Sequence, residues 1–273
     1  MLGRDVVEAC AARGHDPIAL GHAELDISDG LAVDEAFAAF SPEVAINCAA
    51  WTDVDGAEDD ERAAMRINDT GAGLLSSSAA AHGAAIIHVS SDYVFDGKKG
   101  AAYVESDQPS AISAYGRSKQ AGETSVATAN PRHHVVRSSW LYGLGGSNFV
   151  ETMLRIASEQ PEVLVVNDQI GCPTYTRHLA GALLALTERE DFGIHHVAAA
   201  GRCSWFEFAQ EIFDQEGIEC RVMAATTEML ARKAPRPPHS ALATEHPDPI
   251  ELPSWRRGLT EYLSARRARA GVA

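Results

Sequence analysis

Short apolar runs rich in β-branched residues alternate along the chain with longer stretches in which apolar side chains recur at helical spacing. That alternation predicts repeated strand and helix units, hence an α/β fold with a doubly wound, mainly parallel sheet. Strands are expected at 16–20, 44–48, 85–89, 134–137, 163–166 and 193–197, where the apolar cores are bordered by turn residues, as buried strands require. Helices are expected near 3–13, 30–40, 57–81, 112–129, 147–159, 174–187, 204–217 and 254–268. Ser204 supplies a helix start before Trp205, Phe206, Phe208 and Phe213, an aromatic stripe that reads as core. Ala234-Pro235-Arg236-Pro237-Pro238 must be extended or irregular, because successive prolines cannot continue a helix. The regular alternation gives way at Gly143-Leu144-Gly145-Gly146, which places a soft boundary near 142.

The 273 residues suffice for one large α/β domain with a smaller lobe. A net charge of −15 argues against nucleic-acid binding, and the arginines at 256–257 and 266–267 read as a solvated helix end. Cys10, Cys48, Cys172, Cys203 and Cys220 form no C-x-x-C pair and read as buried thiols of a reducing compartment. With no run of about eighteen apolar residues and no signal-like N-terminus, a cytoplasmic protein free of the membrane is expected.

Tyr115 and Lys119 stand four apart on one predicted helix and follow a strand that ends in Val89-Ser90-Ser91-Asp92. Reduction of a ketone needs a proton donor beside the carbonyl oxygen, and a phenol tuned by a nearby cation can provide it. An ordinary phenol titrates at about 10, so exchange near neutrality calls for a drop of about two to three units, part of which Lys119 can supply. A strand-end hydroxyl completes a carbonyl-polarising site, although alternation alone does not choose between Ser90 and Ser91. His133-His134 and His195-His196 lie at strand borders without a third ligand at metal spacing and read as structural, so no metal site is expected.

Several segments carry a resemblance: Asn47-Cys48-Ala49-Ala50-Trp51-Thr52-Asp53-Val54-Asp55, Val89 to Gly97 (VSSDYVFDG), Tyr115-Gly116-Arg117-Ser118-Lys119, Arg137 to Gly143 (RSSWLYG), Asn148-Phe149, Asn167 to Thr174 (NDQIGCPT) and Arg236-Pro237-Pro238-His239-Ser240. In these the chain resembles the extended short-chain dehydrogenase/reductases, and within them the dTDP-4-dehydrorhamnose reductase family. The resemblance implies a Rossmann-type NAD(P)-binding domain over 1–142 and a substrate lobe over most of 143–273, with some segments returning to the first domain. It implies Ser91 as the carbonyl-binding hydroxyl, in place of the family's Thr, Tyr115 as the acid, and Lys119 as tuner of Tyr115 and ligand of the nicotinamide ribose. Cofactor contacts map onto Leu2, Gly3, Asp26, Ile27, Ala49, Ala50, Trp51 and Val89, besides Tyr115 and Lys119. Substrate contacts map onto Ser91, Asp92, Trp140, Asn167, Gln169 and Arg236. The implied reaction is NADPH- or NADH-dependent reduction of the C4 ketone of a dTDP-4-keto-6-deoxy sugar; the same triad also serves related nucleotide-sugar epimerases and ketoreductases. A non-catalytic alternative resembles the β subunit of methionine adenosyltransferase. A homodimer is compatible with the resemblance, and the Mg2+ that bridges subunits in some relatives finds no signature here.

Met1-Leu2-Gly3-Arg4-Asp5 matches the end of the family's Gly-rich motif, with Gly3 as its last glycine. The first strand and two earlier glycines are therefore expected to be missing, leaving the strands that would flank it without a shared partner, and a start upstream of Met1 is favoured. Gly21 stands where an acidic residue often binds the ribose 2′-OH of NAD, so tolerance of, or preference for, NADPH is predicted.

Overall fold

The computed structural model describes residues 1–271. Along the chain the principal elements are α1 (Leu2–Ala12), α2 (Gly30–Phe40), β1 (Val44–Asn47), α3 (Ala72–Ala81), β2 (Ala85–Ser91), α4 (Ala114–Ala129) and β3 (His133–Ser138). There follow α5 (Phe149–Glu159), β4 (Glu162–Val166), α6 (Thr176–Leu186), β5 (Gly193–His196), α7 (Trp205–Glu216), β6 (Arg221–Ala225) and α8 (Trp255–Ala270).

The central sheet is parallel with order β1-β2-β3-β5, and its register sets Asn47 beside His88 and Ser90 beside Arg137. Successive side chains of a strand face opposite ways, so β2 and β3 feed two helix layers. Ile86 and Val135 pack with Val33, Phe37, Leu75, Ala79 and Val126 of α2, α3 and α4. Ile87 and Val136 pack with Leu2, Val6, Leu179 and Leu183 of α1 and α6. This is the expected doubly wound α/β arrangement. A further core, built wholly from residue 142 onward, joins Tyr142, Val150, Phe208, Ile212, Trp255 and Tyr262. The aromatic stripe of α7 enters it: Phe208 and Phe213 are buried, while Trp205 and Phe206 pack against its side. Ser204 caps that helix through a reciprocal box with Glu207. β4 and β6 form a separate parallel pair.

Two expected elements differ. Residues 16–20 form no strand; Ile18 and Leu20 stand 52% and 41% exposed, and no strand among the described residues lies alongside to pair their backbone. β1 likewise has β2 as its one neighbour in the described sheet. The helix expected over 57–81 is interrupted: after Glu61–Met65, capped by the Asp60 carboxylate, the chain widens into a π turn over Arg66–Gly71 before α3. Packing explains the widening, for Asn68 is drawn into hydrogen bonds with Trp51 and Ser118 and its carbonyl lies against Gly122, where a Cβ would come within 2.0 Å. The five cysteines are free thiols, four of them buried and Cys48 partly so. No helix among the described residues is long and apolar enough to cross a membrane.

Candidate functional site

β2 runs out at Ser91, which then caps a single 3-10 turn over Asp92–Val94 by accepting the Tyr93 N–H at 3.2 Å. Its hydroxyl donates to Asp92 Oδ1 at 3.1 Å, and Ser240 Oγ donates to the other carboxylate oxygen at 2.5 Å. Tyr115 lies in the first turn of α4, which begins because Ser113 accepts the Gly116 N–H at 3.1 Å. Its phenol faces the Ser91 hydroxyl, and the Tyr93 ring meets it edge-on at 5.5 Å. One turn later Lys119, 1% exposed, donates from Nζ to the Val89 carbonyl at 2.7 Å. The close approach of Gly122 to the π turn lets α4 lie low enough on the sheet for this reach. The structure thus brings Ser91, Tyr115 and Lys119 together at the carboxyl end of β2, where open α/β sheets bind ligands.

Burial governs the charges. It pushes the Lys119 ammonium down to about 8, against the opposing pull of the Glu123 carboxylate. It raises Asp92 to about 7, against hydrogen bonds from Ser240 and Ser91. Tyr115 departs from expectation: burial lifts its phenol to about 12, and its contact with Ser91 only partly offsets this. The cation that was to lower it spends a hydrogen on Val89 and sits beside His88 instead.

The residues expected around a cofactor fall at the start of α1 and beyond the carboxyl end of β1. Leu2 is buried and Gly3 half-buried, the latter against Cys48; Ala49 is exposed, with Ala50 and Trp51 partly so. Trp51 is fixed by a two-way hydrogen bond with the Asn68 amide. Asp26 accepts from the Ser28 N–H and hydroxyl and lies 3.8 Å from Arg66, while Ile27 is core. The start of an eleven-residue helix, exposed backbone at Ala49 and a lysine next to a phenol suit a nicotinamide dinucleotide: helix dipole toward pyrophosphate, cation toward ribose. Gly21 itself offers no carboxylate, as the sequence shows, but Glu24 folds back and its carboxylate accepts the Gly21 N–H at 2.9 Å. An acid is therefore present there, supplied from three residues downstream.

Trp140 has a left-handed backbone, φ 50°, a strained state for a bulky residue. It is held by parallel stacking on Trp205, centroids 3.5 Å apart, and by Gly171, whose Cβ would enter the indole at 2.3 Å. Arg236 forms a bidentate pair with Asp55 at 3.1 and 2.9 Å, strapping the Pro-rich segment to the residues after β1. Asn167 and Gln169 serve their own lobe: Asn167 accepts from the Ser204 hydroxyl that caps α7, and the buried Gln169 donates to Thr227.

Sequence reasoning passed over His88, Asn68 and Glu123. A histidine in the middle of an otherwise apolar strand was the available signal for the first. It also missed that Asp191 joins His134 and His195, all donor atoms within 4.8 Å, at the opposite end of β3 and β5. There His134 Nδ1 and His195 Nε2 share a hydrogen bond at 2.9 Å, and Asp191 is paired with Arg189. The third group lies near in space although it is absent at metal spacing in sequence.

A doubly wound parallel sheet with a hydroxyl, a tyrosine and a lysine at its carboxyl end defines the Rossmann-type short-chain dehydrogenase/reductase class. Within it, the chain belongs to the RmlD substrate-binding domain family, whose model matches residues 1–268. It is 40% identical over 281 residues to the dTDP-4-dehydrorhamnose reductase of Streptomyces griseus, covering 99% of this chain and 92% of the relative. It is 39% identical over 267 residues to the spore coat polysaccharide biosynthesis protein SpsK of Bacillus subtilis, covering 97% and 94%. The crystal structure of the Bacillus anthracis dTDP-4-dehydrorhamnose reductase in complex with NADP superposes with a TM-score of 0.94 at 36% identity, covering 97% of this chain and 95% of that one.

Proposed function

We propose that the chain reduces the C4 ketone of dTDP-4-dehydro-L-rhamnose to dTDP-L-rhamnose with NADPH or NADH. The observation that carries this is the convergence of Ser91, Tyr115 and Lys119 within a chain that matches the RmlD substrate-binding domain family over residues 1–268. A nicotinamide bound there would supply hydride to C4. Ser91 Oγ donates a hydrogen bond to the ketone oxygen and Tyr115 passes its proton to that oxygen as charge develops there. The phenol held high in the unliganded state is a willing proton keeper; an ammonium form of Lys119 then eases its release. Without substrate the Ser91 hydrogen rests on Asp92, itself held by Ser240; it turns to the ketone oxygen when the sugar binds. Trp140, with its strained backbone, offers an apolar face to the sugar, and Arg236 lies beside the phenol layer through Tyr93. Gly3, Asp26, Ala49, Ala50, Trp51 and Val89 would hold the dinucleotide, with the buried Leu2 and Ile27 packed behind them. Asn167 and Gln169 shape the sugar-nucleotide side of the second lobe, for which a division near 142 is supported by the separate core that begins at Tyr142. Five free thiols support a cytoplasmic setting.

The test is oxidation of NADPH on addition of dTDP-4-dehydro-L-rhamnose. Tyr115→Phe is expected to lower turnover by about 10²- to 10⁴-fold while the protein stays folded. A wild-type protein that oxidises no NADPH in response to the sugar overturns the proposal.

A further inference from the structure

Below Lys119 runs a line of hydrogen bonds that the reaction as written does not use. Asn47 closes β1 in register with His88 of β2, so the two side chains share one face of the sheet. The Ala49 N–H donates to Asn47 Oδ1 at 3.0 Å, which fixes the amide with its oxygen toward Ala49 and its nitrogen toward His88. Asn47 Nδ2 has only hydrogens to offer, and it lies 3.1 Å from His88 Nδ1. His88 Nδ1 therefore accepts. The imidazole is fully buried and burial holds it well below its ordinary pKa, so it is neutral and carries its one proton on Nε2. That nitrogen stands 3.4 Å from Lys119 Nζ. An N–H so placed is a hydrogen-bond donor to a neutral amine and a repelling dipole to an ammonium.

We propose that Asn47 and His88 are positioning residues that set the proton affinity of Lys119, Asn47 locking the His88 tautomer and His88 Nε2–H favouring the amine over the ammonium. The inference rests on the role proposed for Lys119 beside Tyr115. The other groups facing Lys119 are known: Glu123 one turn further along α4 favours the ammonium, though Arg137 occupies both its oxygens at 2.8 and 2.7 Å. Cys48, after β1, has its thiol held protonated by burial. Tyr115, on the preceding turn, is a protonated phenol. The Val89 carbonyl accepts from either form of the lysine. His88 is thus the neighbour whose orientation selects between the two charge states, and its orientation is chosen by Asn47.

Asn47→Asp separates this from ordinary packing, because it keeps size and the Ala49 contact but can only accept from His88. The proton should then move to His88 Nδ1 and leave a lone pair at Nε2 facing the ammonium. Long-range proton–nitrogen NMR of the full chain, with His88→Met to assign the signal, is expected to show Nε2–H in the wild type and Nδ1–H in Asn47→Asp. In the same samples the Lys119 midpoint, read from its side-chain carbon resonance, should rise by about one pH unit in Asn47→Asp. The alkaline limb of kcat/KM should move up with it. Nδ1–H in the wild type, or an unmoved Lys119 midpoint in a folded Asn47→Asp protein, overturns the proposal. Absence of turnover in the wild type sinks the reductase reading instead, and the two NMR readouts still decide this one. If His88→Met fails to fold, Asn47→Asp alone carries the comparison.

Discussion

Ser90 and Ser91 are consecutive on β2, yet their hydroxyls part: Ser90 Oγ donates to Glu123 Oε1 at 2.6 Å, and Ser91 Oγ donates to Asp92 Oδ1 at 3.1 Å. The second also faces the Tyr115 phenol. The first belongs to a buried network, since Glu123 is gripped by Arg137, which is in register with Ser90.

This parting predicts two different phenotypes. Ser91→Ala should cut turnover by about 10²-fold with little change in melting temperature. Ser90→Ala should leave turnover within about threefold and cost about 1 kcal/mol of stability. Steady-state NADPH oxidation and thermal unfolding of the two variants check this, and a reversed pattern would exchange the roles.

The Arg137–Glu123 pair is buried, with side chains 1% and 7% exposed. Removing one partner strands the other charge, so Arg137→Met should destabilise the protein by about 3–5 kcal/mol. The double variant Arg137→Met, Glu123→Leu should recover much of that loss in denaturant unfolding, because no unpaired charge remains.

Asp92 gives a pH-dependent prediction. Its folded pKa, about 7, lies above the value of 3.8 for an unburied carboxyl, so between these limits the folded state holds the extra proton. Its contribution to stability is therefore full below pH about 4 and is lost as pH rises through 7. Asp92→Asn removes the loss: relative to wild type, its melting temperature should be higher by at least about 3 °C at pH 8 than the same comparison gives at pH 5. Equal differences at the two pH values would show that the carboxyl is ionised throughout.

Glu24 bears on cofactor choice. Its carboxylate sits on the Gly21 N–H, the position at which Rossmann folds often carry the acid that accepts from a ribose 2′-OH, and in that role it would repel a 2′-phosphate. Glu24→Gln should raise the ratio of kcat/KM for NADPH over NADH about threefold to tenfold. An unchanged ratio would place the carboxylate away from the ribose.

The parallel α/β class, nearly all helices and the strands of the central sheet were readable from hydrophobic periodicity, because each strand keeps a short apolar segment for the helix layers, such as Ile86-Ile87 and Val135-Val136, even where histidine or arginine interrupts it. The Tyr115-Lys119 spacing was readable for a similar reason: a helix fixes which residues share a face four positions apart. Residues 16–20 had the composition of a strand, but a strand exists only where a neighbour takes its backbone hydrogen bonds, and composition cannot report a neighbour. The π turn at Arg66–Gly71 escaped for the same reason, its cause being Gly122 on another helix.

What the sequence determined by itself was therefore local and periodic: the alternation of elements, the cap at Ser204, the pairing of Tyr115 with Lys119 on one helix face. What only the tertiary structure decided was which groups from distant segments meet. It chose Ser91 over Ser90 by where β2 stops, brought Ser240 to Asp92 and Asp55 to Arg236 across well over a hundred residues, and set Asn47 and His88 under Lys119. Burial in that assembled site, rather than spacing along the chain, then fixed the charges, raising Tyr115 where a neighbouring lysine alone would have lowered it.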